Sequence, residues 1–354
     1  EMMDKGVDLI LGSRVSGTTL KGVALESGEF YDAELIILAI GISPETTLVE
    51  DAGLKIGTTG GILVDANHKT DDDSIYAIGD AVEIHDKLTG KSTMLALAGP
   101  AHRQADKVAN HIYGEDTASR GVINSAMLRV FDLNCASVGL SESTLQRENR
   151  KYKFVYTTGR DQVEYSNPIH MKLIFEEPTG LILGAQIIGR GHVTQRINVV
   201  STLILMNGTI QDMWDNELAY SPIYSTPKDI TNLIASTGIK YLKGEFKKVP
   251  IRYVRKLTED GEFILDTRSK RAFERGHIKG ATNIPSEELR DRLNEVPKDK
   301  PVYTDSYSSL KILLNNGFTN AVFIDGGFED VCLHEYFHDK KLNREPIVTD
   351  YRFF

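Results

Sequence analysis

Asp80 stands in the stretch "DSIYAIGDAVE", residues 73 to 83, in which an apolar run from Ile75 to Ile78 ends in Gly79-Asp80. Ligands of parallel sheets gather beyond the carboxyl ends of the strands. A strand over 75–78 therefore delivers Asp80 to that rim, and Gly79 lets a ligand approach the backbone closely. A carboxylate there accepts hydrogen bonds from sugar or polyol hydroxyls, although the same residue type also caps turns and helices. A second candidate follows at "LAGPAHRQADKVANHIYG", a predicted helix with Pro100 in its first turn. Its amino end, near Leu97, Ala98 and Gly99, offers unpaired N–H groups and the positive end of a helix dipole. "HEYFH" at 334–338 satisfies H-E-x-x-H, the spacing of a zinc hydrolase, but only Glu345 follows nearby as a further ligand. The preferred reading there is a solvated helix, and no metal site is expected.

The elements that must position these residues occupy 354 residues, enough for two or three compact units. Hydrophobic residues make up 41% and charged residues 26%, the profile of a globular protein, and a net charge of −9 without a basic block argues against a nucleic-acid partner. Cys135 and Cys332 stand far apart, so neither a disulfide framework nor a cysteine-rich zinc site is expected. The longest apolar run, "LIILAIGI" (35–42), is too short to cross a bilayer, and the start lacks the layout of a signal peptide. A cytoplasmic protein without a membrane partner is expected.

Along the chain, "VDLILGSRV" and "VALESGEFYDAELIILAIG" read as strands, and "ELIILAIG" suits burial on both faces of a sheet. In the predicted helix Ala101, Ala105, Val108, Ala109 and Ile112 share one face. No G-x-G-x-x-G occurs; "GTTGG" at 57–61 reads as a turn. From 119 to 245, "AMLRVFDLNCASVGL", "YKFVYTT", "IHMKLIFE" and "LILGAQIIG" are strands and "VTQRINVVSTLILMNG" a helix, an α+β layer with an antiparallel sheet. "KGEFKKVP" (243–250) reads as a linker. Beyond it "FILDTR", "KPVYT" and "AVFIDGG" are strands alternating with the helices "SKRAFERG", "SEELRDRLNEV" and "SYSSLKILLNNG", a small parallel α/β domain.

Thr70, a short acidic gap, the apolar run and Gly79-Asp80 together resemble the second flavin-binding motif of the pyridine nucleotide-disulfide oxidoreductases. In that family the Asp binds the ribityl chain of FAD, and the amino end of the following helix faces the flavin pyrimidine ring. Gly41 and Pro44 resemble the family's Gly-x-x-Pro turn. "GAQIIG" and "LAYSPIYSTPKDITN" are similar to the dimerisation domain of coenzyme A disulfide reductases and related single-cysteine reductases. The family's Tyr-Ala-Pro-Pro tyrosine matches Tyr220, with Ser221 and Ile223 departing from the pattern. Tyr165 in "EYSNP" is an out-of-register counterpart of a second tyrosine. "LDTRSKRAFERGHIKGATNIP", through Asp266, Arg268, Phe273, Gly276, His277, Ile278, Gly280 and Ala281, resembles the opening motif of a rhodanese domain, in which His277 is structural.

The resemblance implies an α/β and α+β multidomain chain. Residues 1–45 would be the C-terminal part of an NAD(P)-binding domain and 46–118 the second segment of a FAD-binding domain. Residues 119–245 would form the dimerisation domain and 250–354 the rhodanese-like domain. It further implies FAD and NAD(P)H as cofactors, coenzyme A as ligand, a homodimer, and reduction of coenzyme A disulfide, persulfide or a related small thiol's disulfide. An NADH oxidase or peroxidase of the same fold, or a non-catalytic dimerisation and thiol-docking module, are the alternatives. The family's glycine-rich motifs and redox cysteine would precede residue 1, so the chain is expected to represent roughly the C-terminal three-fifths of such an enzyme. The strand "KPVYT" runs from Thr304 into "DSYSSLKILL" without the cysteine of a working rhodanese, so sulfur transfer by this domain is not expected.

Overall fold

The computed structural model describes residues 1–115 and 118–351, and the chain divides after Asn124 into two compact units. In the N-terminal unit β1 (Val15–Thr19), β2 (Gly22–Leu25) and β3 (Phe30–Asp32) form an antiparallel meander. After α1 (Thr47–Asp51) come β4 (Ile62–Leu63), β5 (Val82–His85) and β6 (Ser92–Thr93), a second three-stranded sheet. The helix α2 (Ala98–Ile112) closes the unit, and Pro100 lies in its first turn as expected.

Four expectations for this unit are corrected. The strand expected at 34–41 is not paired, and Leu35, Ile37, Leu38 and Ile40 are 71 to 88% exposed. A strand apolar on both faces needs sheet neighbours and a covering layer on each side, and no strand among the described residues lies beside it. The strand expected from residue 7 begins only at Val15. The run 75–78 is extended but carries a single bridge, Tyr76 to Lys69, because its backbone bonds back to the preceding turn: Thr70 N–H to Ile75 O and Ala77 N–H to His68 O. Nor is the predicted apolar face of α2 buried. Pro100, Ala101, Gln104 and Val108 pack inward, whereas Ala105, Ala109 and Ile112 are exposed.

The second unit opens with β7 (Ala126–Val130), β8 (Leu133–Gly139), α3 (Glu142–Arg147), β9 (Tyr152–Arg160), β10 (Pro168–Glu176) and β11 (Ile182–Gly189). The five strands form the expected antiparallel sheet in the order β7-β8-β11-β10-β9. Three helices follow: α4 (Val193–Leu205), α5 (Ile210–Asp215) and α6 (Ile230–Leu242). α4 packs on β8 and β11, and α6 on β9 and β10. Alternation along β10 buries Ile169, Met171 and Leu173 and turns His170 and Lys172 to the other face.

The C-terminal part is a five-stranded parallel sheet built from β12 (Lys247–Val249), β13 (Phe263–Asp266), β14 (Thr282–Asn283), β15 (Val302–Thr304) and β16 (Ala321–Ile324), ordered β12-β16-β15-β13-β14. Its helices are α7 (Val254–Glu259), α8 (Lys270–Arg275), α9 (Tyr307–Asn315) and α10 (Gly327–Leu342). Adjacent strand residues feed opposite cores: Leu265 and Phe323 join Phe246, Leu310 and Phe318, while Ile264 and Ile324 join Val254, Val331 and Ile347. Burial on both faces is what a parallel sheet requires.

Two further expectations fail here. The segment expected as a linker, 243–250, buries Phe246 and supplies the edge strand β12, paired parallel with β16. An aromatic flanked by polar residues is enough to dock a short strand. The helix expected over 286–296 is a run of turns ending in a 3-10 helix, Leu293–Glu295. Pro297 holds Val296 extended at φ −96°, ψ 127°, which denies the segment its last helical turn.

Candidate functional site

Gly79 opens a 3-10 helix, Gly79–Ala81, and its N–H donates to Gln104 Oε1 at 2.6 Å. Gln104 is buried in the middle of α2, so one side chain fixes the Gly79-Asp80 turn to the helix. Gly79 has φ +84°, and a Cβ placed on it meets open space. Asp80 is exposed, as are Ala98 and Gly99, while Leu97 is half-buried. No side chain caps α2 and its first turn carries no acidic residue, so its first N–H groups remain open to a ligand. Gly41, exposed at φ +103°, and the half-buried Pro44 lie in the irregular stretch before α1. No hydrogen bond among the described residues links them to Asp80.

The two tyrosines lie on loops that the fold joins. The Pro222 carbonyl accepts the N–H groups of Val163 at 3.0 Å and Glu164 at 3.1 Å, which ties the loop carrying Tyr165 to the one carrying Tyr220. Tyr165 is 89% exposed at φ +52°, and Tyr220, 48% exposed, lines a cleft of about 380 Å³ with Val199, Leu218 and Tyr224. The organiser of this region is Arg196, only 1% exposed in α4. Its guanidinium donates to Asp161 O at 2.5 Å, His192 O at 2.8 Å and the Asp229 carboxylate at 2.9 Å. Asp229 in turn caps α6 through Thr231 N–H. Sequence reasoning passed over Arg196, although one arginine inside "VTQRINVVSTLIL" is a signal of a buried, multiply bonded cation.

In the parallel domain, Asp266, the last residue of β13, and Arg268 just beyond it face Asp305, which follows β15. Arg268 holds the Asp266 carboxylate at 2.5 Å and lies 3.7 Å over the Phe328 ring. Asp305 accepts from Thr267 N–H at 3.1 Å and its hydroxyl at 3.0 Å. Burial, then the neighbouring Asp266, pushes the Asp305 carboxyl up to about 6. Thr267, Arg268 and Asp305 edge a cavity of about 280 Å³ with Ser306, Gly327 and, from the antiparallel sheet, Thr158. Cys332 lies outside it, 1% exposed, with burial pushing its thiol up to about 12. Burial also raises Cys135. His277 stacks on Phe273 with ring centroids 3.8 Å apart, a packing arrangement. In "HEYFH" the buried Glu335 is bonded to Arg255 at 2.7 Å, which commits the carboxylate a zinc hydrolase would use as base.

Three family profiles match the chain: pyridine nucleotide-disulphide oxidoreductase over residues 1–105, the dimerisation domain of the same family over 125–229, and a rhodanese-like domain over 251–334. The chain belongs to the pyridine nucleotide-disulphide oxidoreductases and carries a rhodanese-like domain. Among individual relatives, the coenzyme A disulfide reductase of Staphylococcus aureus (strain JH9) is 29% identical over 238 residues, 66% of this chain and 54% of that protein. The reduced CoADR-RHD of Bacillus anthracis superposes with a TM-score of 0.85 at 36% identity, covering 92% of this chain and 61% of its own. A NAD-dependent persulfide reductase from A. fulgidus gives 0.84 at 32% identity with the same coverage. The chain thus spans about half the length of the curated relatives it matches. Among the described residues no helix is long and apolar enough to cross a membrane.

Proposed function

We propose that the chain contributes the ribityl-binding turn, the dimer-forming layer and the rhodanese-like domain of a FAD-dependent, NAD(P)H-linked oxidoreductase. Its substrates on this reading are coenzyme A disulfide, coenzyme A persulfide or a related small thiol's disulfide. The observation that carries this is the turn locked by Gly79 N–H to Gln104 of α2, which leaves the Asp80 carboxylate exposed, together with the uncapped start of that helix. That donor set fits a flavin: an acceptor for polyol hydroxyls, a glycine with open space above it, and N–H groups for an electron-rich edge. When bound, the flavin would supply two-electron transfer between nicotinamide and a sulfur centre.

The chain's own residues then have defined tasks. Asp80 accepts hydroxyl hydrogen bonds, and the N–H groups of the first turn of α2, beginning at Ala98 and Gly99, attract negative charge. Tyr220, presented at the cleft by the Arg196 network, orients or protonates a thiolate leaving group in the active site of a second copy. The boundaries 1–45, 46–118, 119–245 and 250–354 complete the proposed layout, with Gly41 and Pro44 as the turn entering the flavin segment. A homodimer in the cytoplasm is part of the same reading, and the dimerisation-domain match supports its dimeric part.

The test is flavin retention by the purified protein. Incubation with FAD followed by desalting should leave a yellow protein, and Asp80→Ala should weaken binding about 10- to 100-fold, the effect of one hydrogen bond to a charged group. A colourless protein that refuses added FAD ends the redox reading. NADH consumption with coenzyme A disulfide, coenzyme A persulfide or oxygen then separates a reductase from an oxidase of the same fold.

A further inference from the structure

The open face of the antiparallel sheet carries a second cleft, of about 550 Å³, roofed by α10 of the rhodanese-like domain. The strand register places its floor residues in two cross-strand rows. Cys135, Ile188, His170 and Thr158 face one another across β8, β11, β10 and β9, and Ser137, Gln186, Lys172 and Tyr156 form the next row. Its apolar lining includes Met127, Leu128, Ile188, Ile251 and Leu333. Its polar lining includes Tyr156, His170, Lys172, Gln186, Asp330 and His334.

His170 is arranged as a ring with one committed and one available nitrogen. Its Nδ1 lies 2.5 Å from the Asp330 carboxylate and 2.9 Å from the Thr158 hydroxyl, which itself donates to Asp330 at 3.0 Å. A carboxylate at Nδ1 fixes the N–H on that side and leaves Nε2 for another partner. None is found for Nε2 among the described residues. Lys172, two residues along on the same face, is held by Glu142, and Gln186 lies across the strand pair from it with an exposed side chain. An anion at Nε2 meets a ring whose other nitrogen is held by Asp330, with the Lys172 ammonium two residues along the same face.

We propose that this cleft binds a small amphipathic anion, its carboxylate or sulfonate at His170 Nε2 and Gln186 Nε2 beside Lys172, and its apolar body against Leu128, Ile188 and Leu333. The volume falls within the range of small-molecule sites, and an apolar wall with a few convergent polar groups is their usual make-up. This site is independent of flavin, so its test does not touch the redox reading.

Isothermal titration of the full chain at neutral pH with octanoate, octanol and octylammonium makes the comparison. Octanoate should bind saturably with one site and about tenfold more tightly than octanol, and octylammonium should bind no better than octanol. His170→Gln should lower octanoate affinity roughly fivefold or more and leave octanol unchanged. Because His170 also holds α10, Gln186→Leu is the companion variant; its exposed side chain should be removable without change in circular dichroism, with a smaller loss in the same direction. No saturable binding, equal affinity for octanoate and octanol, a preference for octylammonium, or indifference to both substitutions overturns the proposal.

Discussion

The Lys248 ammonium lies 2.5 Å from the Asp325 carboxylate, and both side chains are buried. Lys248 sits on the edge strand that leads into the rhodanese-like domain, and Asp325 directly follows its last strand. Asp325 also accepts the Tyr156 N–H at 3.2 Å, so the pair caps the outer strand of the antiparallel sheet, a position otherwise open to pairing with another chain. Lys248 is further enclosed by the rings of Phe154 at 4.0 Å and Tyr241 at 4.7 Å. Burial pushes Lys248 down and Asp325 up, each towards its neutral form, and their mutual attraction opposes that.

Removing one partner should therefore cost far more than removing both charges. Lys248→Met leaves Asp325 without its counter-charge and is expected to destabilise the protein by about 3–5 kcal/mol. Adding Asp325→Asn, whose amide oxygen still accepts the Tyr156 N–H, should restore about 1–3 kcal/mol of that loss. Urea unfolding of the wild type, the two single variants and the double variant measures the coupling. Additive losses would show that the two side chains act independently.

Much of this architecture was legible in local sequence. The antiparallel strands alternate cleanly, as at Ile169, Met171 and Leu173, and the parallel strands are short apolar runs closed by turns, so their periodicities announced both sheets. What failed were segments whose structure depends on something distant. "ELIILAIG" reads as a buried strand because its composition is that of one, yet pairing is decided by neighbours, and among the described residues no strand lies beside it. "KGEFKKVP" reads as a connector because one phenylalanine among charges gives no period, yet Phe246 enters a core made by residues up to Phe323. At the candidate site, Asp80 was visible as an apolar run ending in a carboxylate. Gln104 and Arg196 were not, because a buried polar residue on an amphipathic helix looks like any other until its partners are known.

Asp305 makes a pH-dependent prediction. Its folded pKa is raised to about 6 from an ordinary carboxylate value, by burial and then by Asp266. A raised carboxyl binds its proton more tightly in the folded state. Its contribution to stability is thus complete below about pH 4 and is lost as pH rises through about 6. Asp305→Asn keeps an acceptor for the two Thr267 donors and removes the charge. The variant should gain roughly 1–3 kcal/mol over wild type at pH 8 and little or nothing at pH 4. Thermal unfolding across that range reads the difference, and equal melting temperatures at pH 8 would show that Asp305 ionises without penalty.

Gly79 should tolerate no side chain, for a backbone reason. At φ +84° an alanine is strained by about 1–2 kcal/mol although the space for its methyl group is open. Gly79→Ala is expected to lower stability by that amount or to shift the turn and lengthen the bond to Gln104. Gln104→Leu leaves the half-buried Gly79 N–H without its acceptor and should cost about 1 kcal/mol. Each variant should lose FAD affinity alongside, because each moves Asp80 without touching its carboxylate. Guanidinium unfolding and FAD titration, compared with Asp80→Ala, separate a displaced Asp80 from a missing one.

The two cysteines should differ sharply in reactivity. Attack on a disulfide or an alkylating agent needs a thiolate, and burial raises both thiols, Cys332 up to about 12. Cys332 packs with Phe328, Val331, Ile347 and Val348, so reagent access is blocked as well. At pH 8 its thiolate fraction is on the order of 10⁻⁴. Cys135 is only partly buried on the open sheet face and has a shorter path to solvent. Ellman's reagent at pH 8 should therefore label one thiol slowly in the native protein and two at once in guanidinium. Cys135→Ser should abolish the native reaction, and Cys332→Ser should leave its rate unchanged. Fast labelling of Cys332 in the folded protein would mean that α10 opens readily from the parallel sheet, contrary to the packing of its apolar face.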